Sequence, residues 1–211
     1  MRVYHFTSAK HAINDIRFRH LKVATLEDVN DPFELAVCCD DPVRRQALRA
    51  TRREWAKRIG LLCFSRGWHN PVQRSHYGDK HRGICLGFDV PDDLLLQVQY
   101  AEEPPQLDWD AIEALGPAGE TEMLRWSTTK FNHWAYEAEF RLFLRRTMDN
   151  PQFEHFGSSL RLREVIVGPE SDVSRPEIVE ALGDIADIKA FKTRLAFEGY
   201  RVVTQRDPAR W

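Results

Sequence analysis

The segment from Trp134 to Leu144 alternates polar and apolar side chains and reads as a strand. Ala138, Phe140, Leu142 and Leu144 share one face. Glu137, Glu139, Arg141 and Phe143 share the other. Two carboxylates one pleat apart repel unless a cation or ligand compensates them. The pattern therefore suggests a polar site on a rigid strand. It also fits the solvated outer face of an antiparallel sheet.

Similar patterning predicts the other elements. Strands are expected at 2–6, 21–25, 61–65, 83–89, 95–100, 163–167 and 201–205. Ser8 can cap a helix running to about Arg17, with Ala12, Ile13 and Ile16 inward. A longer helix spans 42–59, with Pro42 in its first turn and Gly60 just past its end. The stretch 108–130 reads as helical, broken near Gly116, Pro117 and Gly119, and another helix covers 175–182. Asn30, Asp31 and Pro32 form a turn that Phe33 can anchor in the core, and 66–71 is a loop. Strands outnumber helices without alternating regularly with them. The expected class is α+β, one domain over 1–211, with a mixed, mainly antiparallel sheet.

Composition adds few constraints. The chain has 211 residues, 43% hydrophobic, enough for a substantial core. Thirty basic residues against 32 acidic give a net charge of -2, which is neutral on a nucleic-acid partner. No apolar run reaches the length of a membrane span, and the first residues lack a signal-peptide core. Cys38, Cys39, Cys63 and Cys85 show no CxxC pairing, so reduced thiols in a cytoplasmic protein are expected, without zinc.

Five clusters carry candidate chemistry. His5 and Thr7 flank Phe6 at a strand end, where an imidazole and a hydroxyl can hold a ribose; a satisfied strand-end histidine fits as well. Asn30, Asp31 and Glu34 surround a rigid turn, which leaves Glu34 without a turn role. His76, Tyr77, Lys80, His81 and Arg82 crowd the 75–83 connection, where Tyr77 could stack on an aromatic ligand; a polar surface helix is the alternative. Glu137, Glu139 and Arg141 follow Lys130 and Trp134. Finally, Arg44, Arg45, Arg49, Arg52, Arg53, Lys57 and Arg58 share one helix with a single acid, Glu54. That is either a solvated basic face or a docking surface for DNA or RNA phosphates.

Taken in order, several motifs bear a resemblance. They are Tyr4-His5-Phe6, Asn30-Asp31-Pro32-Phe33-Glu34, Cys63-Phe64-Ser65, Ser75-His76-Tyr77-Gly78 and the 81–88 segment, followed by Lys130, Trp134-x-x-Glu137-x-Glu139-x-Arg141 and the 165–169 segment. Together they resemble a bacterial domain-of-unknown-function family marked by Asn-Asp-Pro-Phe-Glu. That family usually has tryptophan where this chain has Arg74. More distantly, a strand-end His-x-Thr, a central Tyr and a late Glu are similar to ADP-ribosyltransferases of the His-Tyr-Glu and DNA-modifying toxin types.

This resemblance implies a split sheet flanked by helices, NAD⁺ as co-substrate, and transfer of ADP-ribose to a nucleic-acid or protein acceptor, in a toxin or phage-defence setting. It implies catalytic Glu139 and Glu137. His5 and Thr7 would hold ribose, and Tyr77, with His76 beside it, would stack on nicotinamide. Asn30, Asp31 and Glu34 would form a wall, and Arg74 or Arg141 would meet the pyrophosphate. Glu139→Gln should abolish nicotinamide release with the fold intact. Two other readings stay open: nucleic-acid binding or metal-assisted processing without NAD⁺, and a small-molecule sensor without turnover.

Overall fold

The computed structural model describes residues 1–26, 28–31, 33, 41–114, 116–146 and 152–211. Glu34, Cys38 and Cys39 lie outside them, as does Pro32 of the expected turn. The architecture is α+β. Strands β1 (Arg2–Thr7), β2 (His20–Lys22), β3 (Ala24–Thr25) and β4 (Ile59–Ser65) precede β5 (Ile84–Asp89), β6 (Leu95–Gln97) and β7 (Gln99–Ala101). They are followed by β8 (Thr129–Phe131), β9 (Glu139–Arg145), β10 (Phe153–His155), β11 (Arg161–Val167), β12 (Lys189–Leu195) and β13 (Val202–Thr204). Helices α1 (Ala9–Phe18), α2 (Pro42–Arg58), α3 (Pro71–His76), α4 (Trp109–Glu113), α5 (Pro117–Ser127) and α6 (Arg175–Leu182) cover the faces. No helix among the described residues is long and apolar enough to cross a membrane.

The main sheet runs β13-β12-β11-β5-β1-β4-β9-β6, with β3 also on β4. It is mixed: β11 and β12 are parallel and the remaining pairs antiparallel. One junction is weak. β1 meets β4 at a single register pair, Tyr4 opposite Ser65. The other edge of β4 is filled along its length by β9. β3 therefore shares the β1 edge, pairing Ala24 with Leu61 and Thr25 with Gly60. The sheet opens between these two contacts, beside Cys63 and Phe64.

Alternation along the strands sorts the core. Val3, Leu62, Phe64, Ile84, Leu86, Phe88, Phe140 and Leu142 pack with Ala12 and Ile16 of α1 and Ile178 and Ala181 of α6. The opposite face carries two separate clusters. Leu61 packs with Leu26, just after β3, and with Ala56, Ile112, Met123 and Trp126 from α2, α4 and α5. Phe6, Cys85, Ile166, Phe191 and Val202 pack with Trp68, joined by Tyr4 and Tyr77. The polar residues of β9 stand on this divided face.

Caps fix the helices where the sequence marks them. Ser8 accepts from the His11 amide at the start of α1, and Asp41 accepts from Val43 ahead of Pro42 in α2. Several expectations change. α2 runs straight into β4, so Gly60 is a strand residue; a Cβ there would stand 2.3 Å from Val23 Cγ1. Gly119 does not break a helix but lies inside α5, where a Cβ would meet the Ala111 carbonyl at 2.4 Å. Residues 95–100 divide at Val98 into strands of different sheets. Phe33 is 74% exposed and anchors nothing.

Candidate functional site

The largest revision concerns the acidic segment. Glu137 is not on β9. It ends a 3-10 turn over Asn132–Glu137, and Ala138 follows in the left-handed region at φ 43. A non-glycine residue there costs roughly 1–2 kcal/mol. The turn has a geometric result: Glu137 and Glu139 both reach Lys130, at 2.6 and 3.0 Å, although only one of them sits on the strand.

A cleft of about 320 Å³ opens where β1 and β4 part, at the small end of ligand cavities. His5, Asn30, Tyr77, Glu137, Glu139 and Arg141 all line it, together with Lys130 and Cys63. These residues come from the N-terminal strand, a turn, the end of α3 and the late acidic segment. The fold thus gathers distant parts of the chain around one hollow.

Each side chain is held by neighbours. The ladder register continues from Tyr4–Ser65 to place Phe6 against Cys63, but the His5 ring bonds the Cys63 carbonyl instead, Nδ1 to oxygen at 3.0 Å. Because a carbonyl only accepts, Nδ1 carries the proton, which leaves Nε2 as an acceptor in the neutral ring. Burial lowers the His5 pKa and keeps it neutral, opposed by the Cys63 bond. The Tyr77 hydroxyl donates to Glu137 Oε1 and accepts from Asn30 Nδ2 at 2.7 Å. Gln73 donates to the Glu137 carbonyl at 2.6 Å and to Ser65 Oγ at 2.7 Å, tying the 3-10 turn to β4.

Glu139 is gripped twice by Arg141, at 2.8 Å from Nε and 3.1 Å from Nη2. Its amide donates to the Tyr100 hydroxyl at 2.8 Å. Glu137, Glu139, Lys130 and Arg141 are all buried, and their charges cancel as two anions and two cations. The two acids are nevertheless unequal. Burial pushes Glu139 up, but Arg141 and Lys130 outweigh it and hold the carboxyl well below the usual range. Burial pushes Glu137 up, and Lys130 and Tyr77 recover only part of that, so it stays above the usual range. Environments that drive paired carboxyls apart in this way suit one to remain charged and the other to exchange a proton.

Other expected residues stand elsewhere. Arg74 is on α3 but only 1% exposed, wedged between the Phe6 and Trp68 rings with Nε on the Trp68 carbonyl at 3.1 Å. It does not line the cleft, because its position on the helix turns it into the core. His76 is exposed and bonds the Tyr136 hydroxyl at 2.8 Å. Thr7 ends β1, paired with Ile84, and does not line the cleft. Asp31 is buried beside the cleft, where Oδ1 takes the Phe33 amide at 2.9 Å. Glu34 falls outside the described residues.

Gln73 and Tyr100 are neighbours of the acidic pair that the sequence patterning does not single out. Lys130 had a signal: two adjacent carboxylates require a cation. Among the described residues no group of three or more His, Cys, Asp or Glu could hold a metal ion. Comparison of the chain with protein-family models, curated proteins and solved structures finds no match.

Proposed function

We propose that this protein cleaves NAD⁺ and transfers ADP-ribose to an acceptor. The observation that supports this reading is the convergence of His5, Tyr77, Glu137 and Glu139 on the opening between β1 and β4. His5 Nε2, an acceptor in the neutral ring, takes a ribose hydroxyl. The half-buried Tyr77 ring, with its hydroxyl fixed by Glu137 and Asn30, gives nicotinamide a stacking face. The balanced quartet matters here. Two bare carboxylates would repel a pyrophosphate, whereas Lys130 and Arg141 remove that penalty.

In the reaction the ribose C1′–nicotinamide bond breaks. Nicotinamide departs with the bonding pair, and positive charge spreads over the ribose ring. Glu139, held ionised, stabilises that charge. Glu137 takes the proton of the incoming nucleophile. The likeness in motif order to the Asn-Asp-Pro-Phe-Glu family and to His-Tyr-Glu ADP-ribosyltransferases supports this assignment and its toxin or defence setting.

For the acceptor, α2 supports a nucleic acid. Arg45, Arg49 and Arg53 line one concave surface of about 590 Å³, and the only acid on the helix, Glu54, is paired to Lys57 at 2.7 Å. Phosphates fit such a stripe.

The test is nicotinamide release from NAD⁺ by the full chain, with Glu137→Gln and Tyr77→Phe alongside. Glu137→Gln is expected to lose about a hundredfold in rate while NAD⁺ still raises Tm. Unchanged release in Glu137→Gln removes it from the mechanism. Absence of any NAD⁺-dependent rise in Tm for the parent refutes the proposal.

A further inference from the structure

Away from the cleft, β12 and β13 form an edge hairpin whose tip spans 196–201. Phe197 is 91% exposed and Tyr200 is 100% exposed. The tip is ordered rather than collapsed. Gly199 takes φ +88, Ala196 donates to the Arg201 carbonyl at 3.0 Å, and Arg201 donates to Gly199 at 3.1 Å. Held open in this way, both rings face water although each is large enough to bury.

Beneath the tip runs a groove of about 450 Å³ lined by His69, Arg194, Phe197, Arg201 and Arg206, with Glu198 its one acid. Arg194 lies over the Phe197 ring at 4.3 Å. Among the described residues no salt bridge engages Arg194, Arg201 or Arg206, and Asp207 instead faces Arg210. His69 ties the groove to the fold through Val202, by Nδ1 on its carbonyl at 2.7 Å and by its own carbonyl on the Val202 amide at 2.8 Å. The same stretch, 66–70, leads from Ser65 at the cleft rim to Asn70, the cap of α3.

We infer that this hairpin binds single-stranded nucleic acid. Exposed aromatic rings supply stacking faces that any base can use. Arginines without carboxylate partners supply phosphate contacts along the strand. A double helix hides its base faces, so the two rings favour a single strand. The inference does not depend on NAD⁺ chemistry in the cleft; with that chemistry, the groove would hold an acceptor strand near the rim.

Fluorescence anisotropy with a labelled single-stranded oligonucleotide of about 12 nucleotides tests it, with the duplex of the same sequence alongside. The parent is expected to prefer the single strand. Phe197→Ala with Tyr200→Ala should weaken binding about tenfold or more. Arg201→Ala with Arg206→Ala should flatten the log–log salt slope by about 1.4, at roughly 0.7 per lost phosphate contact. Circular dichroism and the NAD⁺-dependent Tm shift should not change in either, which separates failure here from failure of the cleft assignment. Three outcomes overturn the inference. These are no oligonucleotide binding by the parent, equal binding by the aromatic variant, or loss only in Arg49→Glu, which would place the contact on α2.

Discussion

The buried pair Glu139–Arg141 allows a quantitative test of how the site is built. Glu139 is 5% exposed and Arg141 1%, and two hydrogen bonds of 2.8 and 3.1 Å join them. At about 3 Å and an effective dielectric near 20, the gross attraction is roughly 5 kcal/mol. Desolvation of both groups offsets much of it. Removing one partner is a different perturbation: Glu139→Gln takes away the carboxylate that Arg141 grips, and Arg141→Met leaves two buried carboxylates, Glu137 and Glu139, sharing Lys130. Glu139→Gln and Arg141→Met should each cost about 3–5 kcal/mol.

The double variant Glu139→Gln/Arg141→Met leaves no orphaned charge, because Lys130 keeps Glu137 at 2.6 Å. It should therefore lose less than the sum of the two single losses, by a coupling of about 2 kcal/mol or more. Urea unfolding at pH 7, with m-values compared, measures all of these. A coupling below about 1 kcal/mol would refute the buried, mutually dependent arrangement. This also alters the expected behaviour of Glu139→Gln. A loss of that size is a large part of the roughly 5–15 kcal/mol that stabilises a domain, so its activity is interpretable only beside its stability.

Further outcomes follow from single residues. Lys130 lowers the Glu137 pKa, so Lys130→Gln should move the acid limb of the rate–pH profile to higher pH; an unmoved limb rejects Glu137 as the titrating base. Burial raises Asp15 on α1 to about 7, so the folded state binds its proton more tightly and stability falls as pH rises from near 4 through 7. Asp15→Asn should thus stabilise at pH 8 by about 1 kcal/mol, since partial exposure screens most of the shift, and leave pH 4 unchanged, as thermal melts at both values would report. Gly83→Ala places a Cβ 2.2 Å from the Thr7 carbonyl and 2.8 Å from Gly78 backbone atoms. Its stability from urea unfolding should drop by more than about 1 kcal/mol, and an unchanged midpoint contradicts that packing.

Much of the architecture was legible because it rests on local rules. Ser8, as a side-chain acceptor close to the amides it serves, and Pro42, in a first turn, mark the starts of α1 and α2 where the structure has them. Period-two alternation put Phe140 and Leu142 on one face of β9 and Glu139 and Arg141 on the other, as observed. Elements whose stability is non-local escaped notice. β12 forms because it completes the parallel pairing with β11, and β10 because it matches β2; neither carries a strong pattern of its own.

The residue types alone marked two neighbouring carboxylates that repel unless a cation or ligand compensates them, offered an imidazole and a phenol as candidate site groups, and made α2 basic. They did not determine who faces whom. The left-handed turn at Ala138, the rotation of Arg74 into the core between Phe6 and Trp68, and the single ladder pair between β1 and β4 were decided by packing among segments far apart in the chain. Side-chain period fixes a face on one element; only closure of the whole sheet fixes which faces share a hollow.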